Sequence, residues 1–171
     1  MNKKTKKTTN KKAGTKIRNA NQAVKIAVLT RCMDKRHEAR IGDAVRKAIG
    51  PSYHFYELTE PGGAGVLADL YPEHRQWLVD KIKLTIDNLH AGEVILTVHG
   101  TSDEDSKGCG GYVLNGYGDN YATPEASRAF SIEQLQKASA FLRQHVNVPI
   151  RALHVTFKSD GTNIAEEILA M

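Results

Sequence analysis

The chain has 171 residues, of which 40% are apolar, 25% charged and 6% aromatic, enough for one globular domain or one domain with a tail. No run approaches the roughly 20 uninterrupted apolar residues of a membrane-crossing helix, and the basic N-terminus has no apolar segment behind it to make a secretory signal. The net charge of +5 divides unevenly: residues 1–23 hold seven lysines and Arg18 with no acid, whereas the remainder holds 16 basic and 19 acidic residues.

Residues 1–23 are therefore expected to be a disordered basic arm, too poor in apolar side chains to offset the entropy of ordering. Such an arm contacts polyanions nonspecifically, and deleting it is expected to leave the rest of the protein unchanged. Residues 24–171, mildly acidic, are expected to form the folded domain, which argues against a nucleic-acid-binding surface there. With no secretion signal the expected location is the cytoplasm, a reducing compartment in which Cys32 and Cys109 stay unpaired.

In chain order, Val24–Arg31 is β-branched and apolar and reads as a buried strand. Asp34–Ile49 has helical apolar spacing and stops at Gly50-Pro51. Ser52–Leu58 alternates and reads as a second strand. The Gly-rich turn Glu60-Pro61-Gly62-Gly63-Ala64-Gly65 follows. Pro72 opens a helix to His90 with Trp77, Leu78, Ile82, Ile86 and Leu89 at its apolar positions. Val94–Val98 is another buried strand, and residues 99–124 form a long polar, Gly-rich loop. A helix lies within residues 125–146, a fourth strand covers Ile150–Phe157, and Asn163–Met171 reads as a short final helix. Strands alternating with helices predict an α/β domain with a short, mainly parallel sheet and flanking helices. In such sheets ligands bind beyond the carboxyl ends of the strands. Cys32, the Gly-rich turn and His99 all follow strands, so they should share one rim. A loop of 26 residues without periodicity suggests function there.

Two motifs carry chemistry at that rim. Cys32-Met33-Asp34-Lys35-Arg36 follows the first strand, and His99-Gly100-Thr101 ends the third, with Gly108-Cys109-Gly110-Gly111 further on. Two thiolates and an imidazole suit zinc, and three protein ligands leave a fourth position for water, whose pKa zinc lowers to about 7. Asp34 is placed to bind the metal or accept a proton, and Arg36 to hold that carboxylate in a bidentate pair. His37, beside the pair, is a candidate proton shuttle. The remaining histidines, His54, His74, His90, His145 and His154, have no partner motif and read as structural.

The order Cys-x-Asp-x-Arg after the first strand, a strand ending in His, then Cys-Gly, resembles the β-class carbonic anhydrases over about residues 24–157. The resemblance implies Cys32, His99 and Cys109 as zinc ligands and Asp34 with Arg36 as the dyad beside them. It further implies reversible hydration of carbon dioxide to bicarbonate, and a homodimer or higher homo-oligomer. The sequence departs from that family at the second motif: nine residues separate His99 from Cys109 where the family has two. Ser102 occupies the family's cysteine position, and Asp103, Asp105 or solvent are alternatives to Cys109 as third ligand. The Gly-rich turn matches only the glycine half of the family's Arg-Asn-Ala-Gly segment. Two other classes remain open: a zinc-binding relative without activity, and a thiol-dependent enzyme with Cys32 as nucleophile at a helix start.

Overall fold

A computed structural model describes residues 24–101 and 108–168. The expected basic arm, the alternative ligands Asp103 and Asp105, and Ser102 lie outside the described residues. Among the described residues, five strands form one sheet: β1 (Lys25–Cys32), β2 (Tyr53–Glu60), β3 (Glu93–His99), β4 (Ile150–Phe157) and β5 (Asn163–Ile168), in the order β2-β1-β3-β4-β5. The first four run parallel, and β5 is antiparallel to β4. The fold is thus α/β and mainly parallel, as expected. No helix among the described residues is long and apolar enough to cross a membrane.

The interior strands explain their own sequences. A parallel strand covered on both faces needs apolar side chains at every position rather than at alternate ones. Ala27, Val28 and Leu29 of β1 and Val94, Ile95 and Leu96 of β3 are all fully buried. The edge strand β2 alternates in burial instead. Thr30 and Thr97 are buried too, and each hydroxyl donates to a neighbouring strand's carbonyl, Ile95 O and Thr30 O respectively. Arg31 is 6% exposed and survives burial by pairing with Glu57 of β2 at 2.6 Å and Glu38 at 2.9 Å.

Helix α1 (Glu38–Ile49) begins four residues later than its periodicity predicts, because residues 34–37 close a turn, His37 N donating to Asp34 O. Helix α1 packs mainly over β4 and β5, its Arg40 donating to Asn163 Oδ1. The helix α2 (Pro72–Leu89) and a 3₁₀ turn (Gly63–Leu67) pack together beside the start of the rim. After β3, the segment expected to be an unstructured loop contains α3 (Gly110–Tyr112), an irregular turn (Val113–Tyr117) and a 3₁₀ turn (Gly118–Tyr121). Helix α4 (Pro124–Leu142) follows, its Thr123 hydroxyl capping Ala126 N, and covers β3 and β4.

The expected C-terminal helix is a correction: 163–168 is strand β5. The residues Ala165-Glu166-Glu167 favour a helix locally, but the preceding Asp160-Gly161 makes a tight turn. Gly161 has φ +81°, Lys158 N donates to Thr162 O, and Asp160 Oδ1 accepts from Thr162 N. This hairpin feeds the chain back along β4. There Ile168 is buried, and Glu167 and Glu166 pair with Arg151 and Arg128.

Candidate metal centre

Strand ends deliver the first two candidate ligands. Cys32 is the last residue of β1 and His99 the last of β3, and these strands are neighbours in the sheet. Cys109 arrives from the segment after β3, just before α3. The two sulfurs and a ring nitrogen of His99 lie within 4.8 Å of one another, and all three residues are buried. The nine-residue spacing between His99 and Cys109 therefore closes back onto the rim. Both ring nitrogens of His99 are buried without a hydrogen-bond partner among the described residues.

The sulfurs of Cys32 and Cys109 are 3.6 Å apart. The hydrogen bond from Cys109, helped by His99, pulls the Cys32 thiol below its usual range. The same contact with Cys32, together with burial, pushes the Cys109 thiol well above it.

The Gly-rich turn is what brings Cys109 in. Gly63 leaves room for the backbone of β1 and β3, and Gly62 for the side chains of Leu70 and Tyr112. A Cβ on Gly63 would stand 2.5 Å from Thr97 O and 3.0 Å from Cys32 N, and one on Gly111 would stand 2.5 Å from Gly62 N. Gly65 seats the ring of Tyr112, which is fully buried and packs edge-on to Phe130. Asn115 ties the far side, its side-chain amide donating to Tyr71 Oη at 2.6 Å and Gly111 O at 2.7 Å. The sequence marks the turn as unusual, but Tyr112 is a long-range partner that no local pattern reveals.

Asp34 and Arg36 form the pair their spacing predicts. Arg36 Nε donates to Asp34 Oδ1 at 3.0 Å, Nη2 donates to Oδ2, and the Arg36 backbone N–H reaches Oδ1 at 3.1 Å. The guanidinium holds the Asp34 carboxyl down to about 2. Arg36 also reaches Gly108 O at 3.4 Å, next to Cys109. Asp34 and Cys32 line a cavity of about 300 Å³ with Met33, Pro61, Tyr71, Gly110, Gly111 and Leu114. His37, the candidate shuttle, is instead buried, with its ring stacked on Phe157 at 4.0 Å and edge-on to His99 at 5.2 Å. It buttresses the imidazole from behind rather than reaching solvent.

On the opposite face of β4 lies His154, 3% exposed, with neither ring nitrogen hydrogen-bonded among the described residues. Gly100 leaves it space beside Ser127. Burial, then the Arg128 guanidinium, lower its pKa from 6.5 to about 4. The unfolded chain thus binds a proton between those values that the folded chain does not. Stability should fall as pH drops from about 6.5 to 4, by about 3 kcal/mol, and level off below. Urea unfolding across this range checks it: His154→Leu should flatten the slope, and an unchanged slope would remove His154 as its source.

No protein-family model matches the sequence, and no curated protein matches it. Among solved structures, the β-carbonic anhydrase CafA of the fungal pathogen Aspergillus fumigatus superposes with a TM-score of 0.51 at 10% identity. The match covers 87% of this chain and 77% of that one. At that identity the likeness concerns architecture: the chain has a β-carbonic-anhydrase-like fold, with a cysteine–histidine–cysteine cluster at its rim.

Proposed function

We propose that this chain is a zinc-dependent enzyme that hydrates carbon dioxide reversibly to bicarbonate. The observation that carries the reading is the convergence of Cys32, His99 and Cys109 at the rim of a β-carbonic-anhydrase-like fold. The residues fit zinc. Two sulfurs held tetrahedrally at about 2.3 Å from one ion stand about 3.8 Å apart, close to the 3.6 Å observed. A buried imidazole whose two nitrogens have no hydrogen-bond partner among the described residues is costly unless something binds it. Zinc supplies Lewis acidity that brings the ionisation of a water molecule to near neutral pH.

The chain's own residues supply the rest. Arg36 keeps Asp34 ionised and turned toward the cavity, so that Asp34 Oδ acts as a hydrogen-bond acceptor there. Pro61, Met33 and Leu114 give the cavity an apolar wall, suited to a small uncharged substrate. A homodimer belongs to the same reading. Leu114 and Met33 stand 87% and 55% exposed at the cavity, and a second copy seated there would take them out of water.

The test is stopped-flow hydration of carbon dioxide by the full chain, with metal analysis of the same sample. Stoichiometric zinc, loss of activity on chelation and recovery with added zinc are expected. A rate no higher than the buffer blank in zinc-loaded protein would overturn the reading. Arg36→Ala should lower kcat about a hundredfold with zinc retained, the range of a lost acid–base partner. Activity should rise with pH through about 7, and a flat profile would count against the assigned roles.

A further inference from the structure

We propose that Cys32 and Cys109 are an oxidative modification site, in which a hydroperoxide joins the two sulfurs as an intramolecular disulfide. The linkage rests on the sulfur geometry alone. Its competition with zinc for the same atoms rests on the function proposed above.

Three observations carry it. The sulfurs are in contact at 3.6 Å, so closing to a bond of about 2.05 Å asks for a shift of about 1.5 Å. The chain holds only two cysteines, so neither has another intramolecular thiol to choose. Access is asymmetric: Cys32 lines the open cavity, whereas Cys109 does not line it and is fully buried. The oxidant therefore meets Cys32 first, and Cys109 resolves the product from within.

The chemistry balances with hydrogen peroxide as oxidant. The sulfur of Cys32 attacks the O–O bond, keeps one oxygen as a sulfenic acid, and releases the other as water with the thiol proton. The sulfur of Cys109 then displaces that hydroxyl, which leaves as a second water with the Cys109 proton. Two electrons pass from the sulfurs to the peroxide. Once joined, the sulfurs no longer offer thiolates to a metal, and a dithiol reductant restores them.

The experiment compares zinc-loaded and chelator-stripped full-length protein, each given one equivalent of hydrogen peroxide, quenched with an alkylating reagent and mapped by peptide mass. Stripped protein should lose both thiols together, yield a Cys32–Cys109 linked peptide pair within a single chain, and recover both on reduction. Zinc should slow the loss by at least about tenfold, since the bound sulfurs are withheld from attack. In Cys109→Ser, dimedone should trap the sulfenic acid on Cys32. The same reagent at early times in the wild-type chain makes that point should the variant fail to fold. Irreversible oxidation of Cys32 with Cys109 still alkylatable, or linkage only between chains, would overturn the proposal. Linkage at equal rates with and without zinc would leave the modification site standing and sink the assignment of these sulfurs to zinc.

Discussion

Cys32→Ser and His99→Ala are each expected to abolish stoichiometric zinc in the purified protein. Altering a residue that merely orients a metal ligand already costs about 10–100-fold in affinity. Removing one of the three proposed ligands should cost at least the upper end of that range. The two side chains project from neighbouring strands whose backbones are fixed by a fully buried core, so no other residue slides in to replace them. Metal analysis after dialysis against a weak chelator reads the loss directly. Full occupancy in Cys32→Ser would remove the cluster as the metal site. Cys109→Ser discriminates further: retained zinc there would pass the third position to Asp103. Zinc should also raise the unfolding temperature of the wild-type chain by mass action, and not that of the His99→Ala variant.

Gly63→Ala and Gly111→Ala are expected to cost about 3 kcal/mol or more each, while Gly110→Ala costs close to nothing. At Gly63 the new methyl would meet Thr97 O at 2.5 Å and Cys32 N at 3.0 Å, and the backbone there has φ +60°. At Gly111 it would meet Gly62 N at 2.5 Å and Pro61 C at 2.8 Å. These neighbours are main-chain atoms, with no rotamer to yield, so the segments must separate. At Gly110, one residue away, an added methyl would meet nothing within 4 Å among the described residues. Chemical denaturation of the three variants checks the contrast, and equal midpoints for Gly110→Ala and Gly111→Ala would show that the Cys109 segment does not dock on the Gly-rich turn. Zinc affinity should follow the same order, since the docking is what holds Cys109 beside Cys32.

The legible parts of the sequence are those governed by local rules. Val28 to Thr30 and Val94 to Val98 carry the continuous β-branched and apolar character of interior parallel strands, and the Pro72 helix start is punctuated by proline at the first turn. Asp34 and Arg36 pair because a tight turn brings positions two apart together. What stays hidden depends on distant partners. Residues 163–168 prefer a helix by composition, and only the open edge of β4 makes them a strand, although the Asp160-Gly161 turn signals a reversal of the chain. The return of Cys109 across nine residues follows from Tyr112 seating on Gly65, a contact between segments 47 positions apart in the sequence. His154 looks like any strand histidine until α4 and β5 close over it.

The three candidate ligands are not anchored alike. Cys32 and His99 end two interior strands, whereas Cys109 rides on residues 108–121, where Asn115 and Gly116 leave helical angles and Leu114 faces water. The amides of β1 and β3 should exchange with deuterium only through global unfolding, and those of 108–121 through a smaller local opening. Such an opening swings one sulfur away and leaves the sheet and the other two donors in place. The lifetime of whatever the cluster holds is then set by the hinge of a single short segment, and the stability of the domain as a whole has little say in it.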